Sequence, residues 1–314
     1  MKNLEQVKIS MKTVLVTGGL GYLGSKVCER LKKEGYEVRI FCHRTRNAGL
    51  DGFKHFYGDV LEMDSILKAS RNCEFIVHCA ALNEVECRKN PNRALEINAI
   101  GTRNMLEAAL RMGVRRFIYI STFHVYGKAN GRIDEKTLPE PRDDYSISHY
   151  AAEQYCRQYN GLGLECVILR VSNAYGAPVN KNIKRWTLLI NNLCMQCVNN
   201  NSIILKSPGC QKRDFISLSD ISSGVSLVMK KPKNALSGRV YNLGGENALS
   251  LVEVAKEVAS TYSQMHGKPI KVESPHKGKS EKLFFDISMI KKIGYRPKSN
   301  FREEIRKTLE ACSE

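Results

Sequence analysis

The chain has 314 residues, 26% of them charged and 42% hydrophobic, enough for one large or two intimate domains around a full core. No apolar run approaches the roughly 20 residues needed to cross a bilayer, which leaves no case for a membrane-spanning class. Basic residues exceed acidic ones by 17, but the surplus is dispersed, with modest clusters at 181–185 and 230–233. It suits attraction to a polyanionic small molecule and gives nucleic-acid binding no support.

The first residues, 1–12, are polar and lack the apolar centre of a signal peptide. Eleven scattered cysteines without framework spacing point to reduced thiols in a cytosol. Cys194 and Cys197 form a lone CxxC with no second pair and no nearby histidine. It reads as helix packing, and no metal site is expected.

In chain order, the apolar run 13–17 ends in the glycines Gly18, Gly19, Gly21 and Gly24, and a helical pattern follows to about 34. Glycines between a strand and a helix let phosphate oxygens approach the N–H groups of the helix N-terminus, so this turn predicts a dinucleotide site. The backbone of Gly18, Gly21, Tyr22, Leu23 and Gly24 would form it. Strands are predicted at 37–43, 53–57, 75–80, 116–121 and 166–170, with helices over 92–112 and 144–159. That alternation specifies a parallel doubly wound sheet. After Arg170 the rhythm breaks. A helix over 184–199, a helix opened by Ser219-Asp220, a strand at 239–243 and a helix capped by Ser250 describe a smaller α/β lobe. The expected division is 1–172 for nucleotide binding, with 211–244 returning to it, and 173–314 for substrate.

NAD enzymes carry an acid about twenty residues past the glycines, to bind the ribose 2′-OH. Here the second strand ends Phe41-Cys42-His43-Arg44, with Cys42 where the acid is expected. Arg44 and Arg46 suit a 2′-phosphate, so NADP is expected ahead of NAD; both arginines could equally be exposed loop charges. Asp59 could contact the adenine or cap the next helix.

Several further segments carry a family resemblance. They are Thr17–Gly24, Gly58-Asp59-Val60, His78-Cys79-Ala80-Ala81, Asn98–Thr102 and Ser121–Gly127. Tyr145–His149, Leu169–Gly176, Arg213–Ile216, Tyr241–Gly245 and Asp286–Ser288 continue the series. Together they resemble the extended short-chain dehydrogenases/reductases, the group of nucleotide-sugar epimerases, dehydratases and reductases. The resemblance implies a Rossmann-type sheet with a substrate lobe, a nucleotide-sugar substrate and a homodimer through the long helices of the first domain. It places Val60, Ala80 and Asn98 along the cofactor.

The resemblance also implies that Tyr145 exchanges the substrate hydroxyl proton while Thr122 hydrogen-bonds the same oxygen. A phenol with pKa near 10 needs a cation to act as a base at pH 7, and the family supplies lysine at i+4. This chain has His149 there. A protonated histidine could do the same, with a pKa that small shifts move across neutrality, and imidazole can still donate a hydrogen bond to the nicotinamide ribose, so Tyr145 and His149 also count as cofactor contacts. Three outcomes stay open: a variant with altered pH dependence, an enzyme slowed at proton transfer, or a catalytically quiet NADP-binding sensor or scaffold.

The family's 4,6-dehydratases follow the threonine with an Asp-Glu pair, whereas this chain has Phe123-His124. A 4,6-dehydratase is not expected. His124 is either an extra acid or base or a wall residue. Epimerisation with retained NAD(P) and net reduction of a keto-sugar remain, and the NADP-like site favours reduction. Arg213 matches a family pyrophosphate contact. His276, flanked by Lys277 and Lys279, stands at the second family arginine. Asn173 matches a substrate contact or serves as a strand-end turn residue.

Overall fold

The computed structural model describes residues 11–43, 50, 52–127, 130–180, 182, 183, 185–236, 239–275 and 282–313. The first half alternates strand and helix: β1 (Thr13–Thr17), α1 (Tyr22–Lys33), β2 (Glu37–Cys42), β3 (Lys54–Tyr57), α2 (Met63–Ser70) and β4 (Phe75–His78). It continues through α3 (Glu84–Lys89), α4 (Pro91–Ala94), a π-helical stretch Leu95–Ile100, α5 (Gly101–Arg111), β5 (Arg116–Thr122), β6 (Gly131–Ile133) and α6 (Asp144–Gly161). Beyond β7 (Glu165–Val171) come β8 (Asn173–Tyr175), α7 (Leu189–Asn200), β9 (Ser202–Ile204), β10 (Lys212–Ser217), α8 (Leu218–Lys230) and β11 (Val240–Leu243). The chain closes with β12 (Ala248–Ser250), α9 (Leu251–His266), β13 (Lys271–Glu273), β14 (Leu283–Phe285), α10 (Ser288–Lys292) and α11 (Phe301–Ser313).

The central sheet is parallel, in the order β11-β7-β5-β4-β1-β2-β3. Its inner strands are buried nearly throughout, as expected of a sheet covered on both faces, while the edge strand β3 has no buried residue. One face packs Val27, Leu31 and Val225 of α1 and α8 against Val14, Ile40 and Val167. The other packs Ile66, Met105 and Ala152 of α2, α5 and α6 against Leu15, Phe117 and Ile168. β11, which follows β10 and α8 in the chain, pairs with β7 and completes the sheet. A separate core joins α7, α9 and α11 over the three-stranded sheet β12-β10-β8.

Two differences from the sequence reading have local causes. The long helix expected over 92–112 is interrupted: Asn90 caps α4 ahead of Pro91, and the backbone then widens into the π turn that carries Asn98. The helix expected from 184 begins at Leu189, because 185–188 run as turn and extended chain. The lone CxxC lies on α7 with both thiols buried in the second core.

Candidate active site

The strand order reverses between β1 and β4, and the chain leaves both strands on the same edge of the sheet. A crevice at such a reversal is where doubly wound sheets bind ligands. Gly18 has φ +63°, and a Cβ there would sit 2.9 Å from the backbone N of Ala80. A Cβ on Gly24 would collide with the carbonyl of Gly18. The glycines therefore let β1, α1 and the segment after β4 close on one another. Gly21 is the N-cap of α1 and provides no side-chain cap, so the first N–H groups of the helix stay open towards the crevice. These features fit a dinucleotide pyrophosphate.

Around this cradle, Tyr22 sends its side chain away to donate to the Gly176 carbonyl at 2.7 Å, tying the first helix to the second lobe. Leu23 packs on the core and Val60 is buried under α5. The Ala80 N–H donates to Thr17 Oγ1. The amide of Asn98 is committed to protein: Oδ1 accepts from Leu82 N–H at 2.7 Å and Nδ2 donates to Ser148 at 3.0 Å. Asp59 accepts from Leu61 N–H and pairs with His43 at 3.2 Å. Cys42 ends β2 half-buried, so no carboxylate projects from that strand end. Arg44, Arg46, His276, Lys277 and Lys279 lie outside the described residues.

Tyr145 and His149 stand one turn apart on α6, whose start is fixed by a capping box between Asp143 and Ser146. Their rings meet edge to face at 4.5 Å. Thr122, at the end of β5, caps the short turn Phe123–Tyr126 with its hydroxyl close to the Tyr145 phenol. Burial raises the Tyr145 pKa to about 12, Glu84 adding to the rise while Thr122 and Arg185 oppose it. Glu84 and Arg185 pair across the cleft at 3.1 Å. His124 is exposed to the cleft yet surrounded by protein, with its ring 6.0 Å from that of Tyr145. The enclosure and Arg213 lower its pKa. Phe123 instead turns inward against Phe285 and Tyr126.

Between the protonated and neutral readings of His149, the structure favours the neutral one: burial, with a contribution from His124, lowers its pKa to about 3. Nδ1 lies 2.7 Å from the hydroxyl of Tyr119, a residue that the sequence offered no motif to single out. Arg213, on β10, is half-buried and forms no ion pair with any described residue. Asn173 donates to the Asp214 carbonyl at 2.9 Å, which holds β8 and β10 together.

The buried histidines set an acid limit on stability. His78, like His149, has its pKa lowered to about 3, whereas the unfolded rings take up protons near 6.5. Their contribution is full above pH 6.5 and is lost as the pH falls towards 3, by about 1.4 kcal/mol per pH unit for each ring. Asp214, raised to about 6 by burial, opposes one of them between pH 6 and its ordinary value. The three together give a net loss of about 1.4 kcal/mol per unit between pH 6 and 4. Urea unfolding at pH 7, 5.5 and 4.5 measures this, and a flat profile would refute the buried neutral rings.

The fold and the crevice define a dinucleotide-binding oxidoreductase of the Rossmann type. A model of the NAD dependent epimerase/dehydratase family matches residues 14–244, and the chain belongs to that family as one of its enzymes. A putative UDP-glucose 4-epimerase of Methanocaldococcus jannaschii is 28% identical over 304 residues, covering 94% of this chain and 97% of that protein. The dTDP-D-glucose 4,6-dehydratase of Mus musculus is also 28% identical, covering 95% and 88%. Among solved structures, the Thermus thermophilus UDP-glucose 4-epimerase in complex with NAD superposes with a TM-score of 0.80 at 27% identity, over 96% and 98% of the chains. The Bacillus cereus UDP-glucuronic acid 4-epimerase, with UDP-glucuronic acid and NAD, gives 0.81 at 25% identity, over 96% and 98%.

Proposed function

We propose that this enzyme reduces a nucleotide-linked keto-sugar with NADPH, in a cleft between the central sheet and the lobe built from 173–210 and 245–314. The observation that supports this most is the neutral, buried His149 where the family has a lysine cation. Without that cation Tyr145 rests as a protonated phenol, the form needed to give a proton to a carbonyl oxygen as hydride arrives at its carbon. Bound NADPH supplies the hydride. Tyr145 delivers the proton to the oxygen, Thr122 aligns that oxygen, and Arg213, free of any described ion pair, meets the substrate's diphosphate. Phe123 and His124 follow Thr122 where the family's dehydratases carry their carboxylate pair, which weighs against elimination. The acid-free end of β2 favours the 2′-phosphate of NADP, with Arg44 as its partner.

A second reading is a 4-epimerase that retains NAD, favoured by the likeness to 4-epimerases solved with NAD. Identifying the cofactor that co-purifies, then titrating the stripped protein with NADP and NAD, separates the two. We expect weak retention and at least about tenfold tighter NADP binding, with Arg44→Asp reversing the preference. Tightly retained NAD would sink the reductase and favour the epimerase. Cofactor binding without turnover on any keto-sugar nucleotide would mean a quiet sensor.

A further inference from the structure

His149 is enclosed, neutral and bonded on one side. Its Nδ1 lies 2.7 Å from Tyr119 Oη, both residues being nearly inaccessible, while Nε2 is buried with no partner among the described residues. A neutral imidazole carries a single N–H, so the proton on the Tyr119 phenol decides which nitrogen holds it.

The surrounding network settles that proton. Thr17 Oγ1 accepts the N–H groups of Cys79 and Ala80, so its own hydrogen goes to Nδ1 of His78 at 2.7 Å. His78 is therefore protonated on Nε2 and donates to Thr102 Oγ1 at 3.0 Å. Thr102 passes its hydrogen to the Asn98 carbonyl at 2.6 Å. Thr102 also touches the Tyr119 phenol, which leaves Tyr119 two acceptors to choose from, the threonine oxygen and the imidazole nitrogen. The imidazole nitrogen is much the stronger base, and the phenol is a stronger acid than an imidazole N–H.

We propose that Tyr119 is a positioning residue that donates to Nδ1 of His149 and fixes the ring as its Nε2–H tautomer. The unpartnered, enclosed N–H, on a ring that meets Tyr145 edge to face, is then a neutral donor for an oxygen of cofactor or substrate brought against it, where the resemblance places a lysine. This rests on the reading of Tyr145 as the proton donor. The other groups facing the imidazole are Tyr145 on its own helix, His78 from β4, His124 from the turn after β5 and Asp143 at the helix cap.

The test is long-range proton–nitrogen NMR on the full chain with labelled histidine, with the His149 signal assigned by its loss in His149→Gln. The expected result is a neutral Nε2–H pattern at pH 7 that persists to pH 5. Tyr119→Phe keeps the ring packing and removes the donor. It should give mixed tautomers and lower kcat by about tenfold or more, with less effect on KM. Tyr159→Phe, which removes another phenol from the same face of the sheet, should change neither reading. An Nδ1–H pattern in the wild type, or an unchanged tautomer in Tyr119→Phe, would overturn the assignment. The Nε2–H pattern in a chain that turns over no sugar nucleotide would uphold the Tyr119 assignment and remove the proposed reaction instead.

Discussion

Tyr145→Phe should lower kcat on the order of 10³-fold while leaving the cofactor dissociation constant within about twofold. In the proposed reaction the phenol oxygen is the part of the side chain that acts. Its ring keeps the edge-to-face contact with His149 when the oxygen is gone, and α6 keeps its capping box at Asp143. The substitution is therefore a deletion of one proton donor rather than of a structural element. Because His149 is neutral, it does not take over, and Thr122 carries no spare proton acidic enough to serve. His124 is the remaining candidate, open to the cleft and 6.0 Å from the Tyr145 ring. A residual rate that follows a single ionisation below pH 6.5 in Tyr145→Phe would identify His124 as that substitute. Steady-state kinetics with the keto-sugar nucleotide found by screening, alongside cofactor titration, measure both quantities. A loss of less than tenfold would remove Tyr145 from the proton-transfer step.

The strength of that expectation differs from residue to residue in how early it was legible. The glycine turn, the alternating strands and the Ser250 cap follow from local rules that tertiary packing did not override: an apolar run, a turn that only glycine fits, a hydroxyl before a helix. The pairing of Tyr145 with Thr122 needed the family pattern, since 23 positions separate them and only the closure of α6 on β5 brings them together. Two things escaped the sequence. The π turn around Asn98 is a hydrogen-bond choice that side-chain periodicity does not encode, because its apolar spacing is that of an ordinary helix. The state of His149 depends on how deeply α6 presses into the sheet and on what lies opposite, Tyr119 of β5. Sequence gives the residue type at i+4 but not its dielectric surroundings, and those decide whether imidazole is a cation.

Glu153→Gln is the second large effect, and it acts on stability. Tyr145, His149 and Glu153 follow one another at four-residue intervals down the face of α6 that meets the sheet. Glu153 is fully buried, accepting from Ser121 at 2.6 Å and from Nη2 of Arg170 at 2.6 Å. Ser121 precedes Thr122 on β5, and Arg170 sits on β7 over the ring of Tyr126 at 4.7 Å. One carboxylate thus fastens the helix bearing Tyr145 to the strand bearing Thr122. Glutamine keeps the shape but leaves the guanidinium charge without its counterion and turns one acceptor into a donor facing Arg170. Breaking such a pair on one side costs about 3–5 kcal/mol, because the surviving charge stays buried. Urea unfolding at pH 7.5 should show that loss. Removing both charges, in Glu153→Leu with Arg170→Met, should recover most of it, since well-packed apolar groups replace a buried pair at little net cost. The double variant should nonetheless stay slow, because Ser121 and α6 no longer share an anchor and the Tyr145–Thr122 alignment loosens. A cost below about 1 kcal/mol for Glu153→Gln would show the pair to be hydrated and unable to lock the helix. A stable double variant with full kcat would separate the ion pair from the alignment of the site altogether.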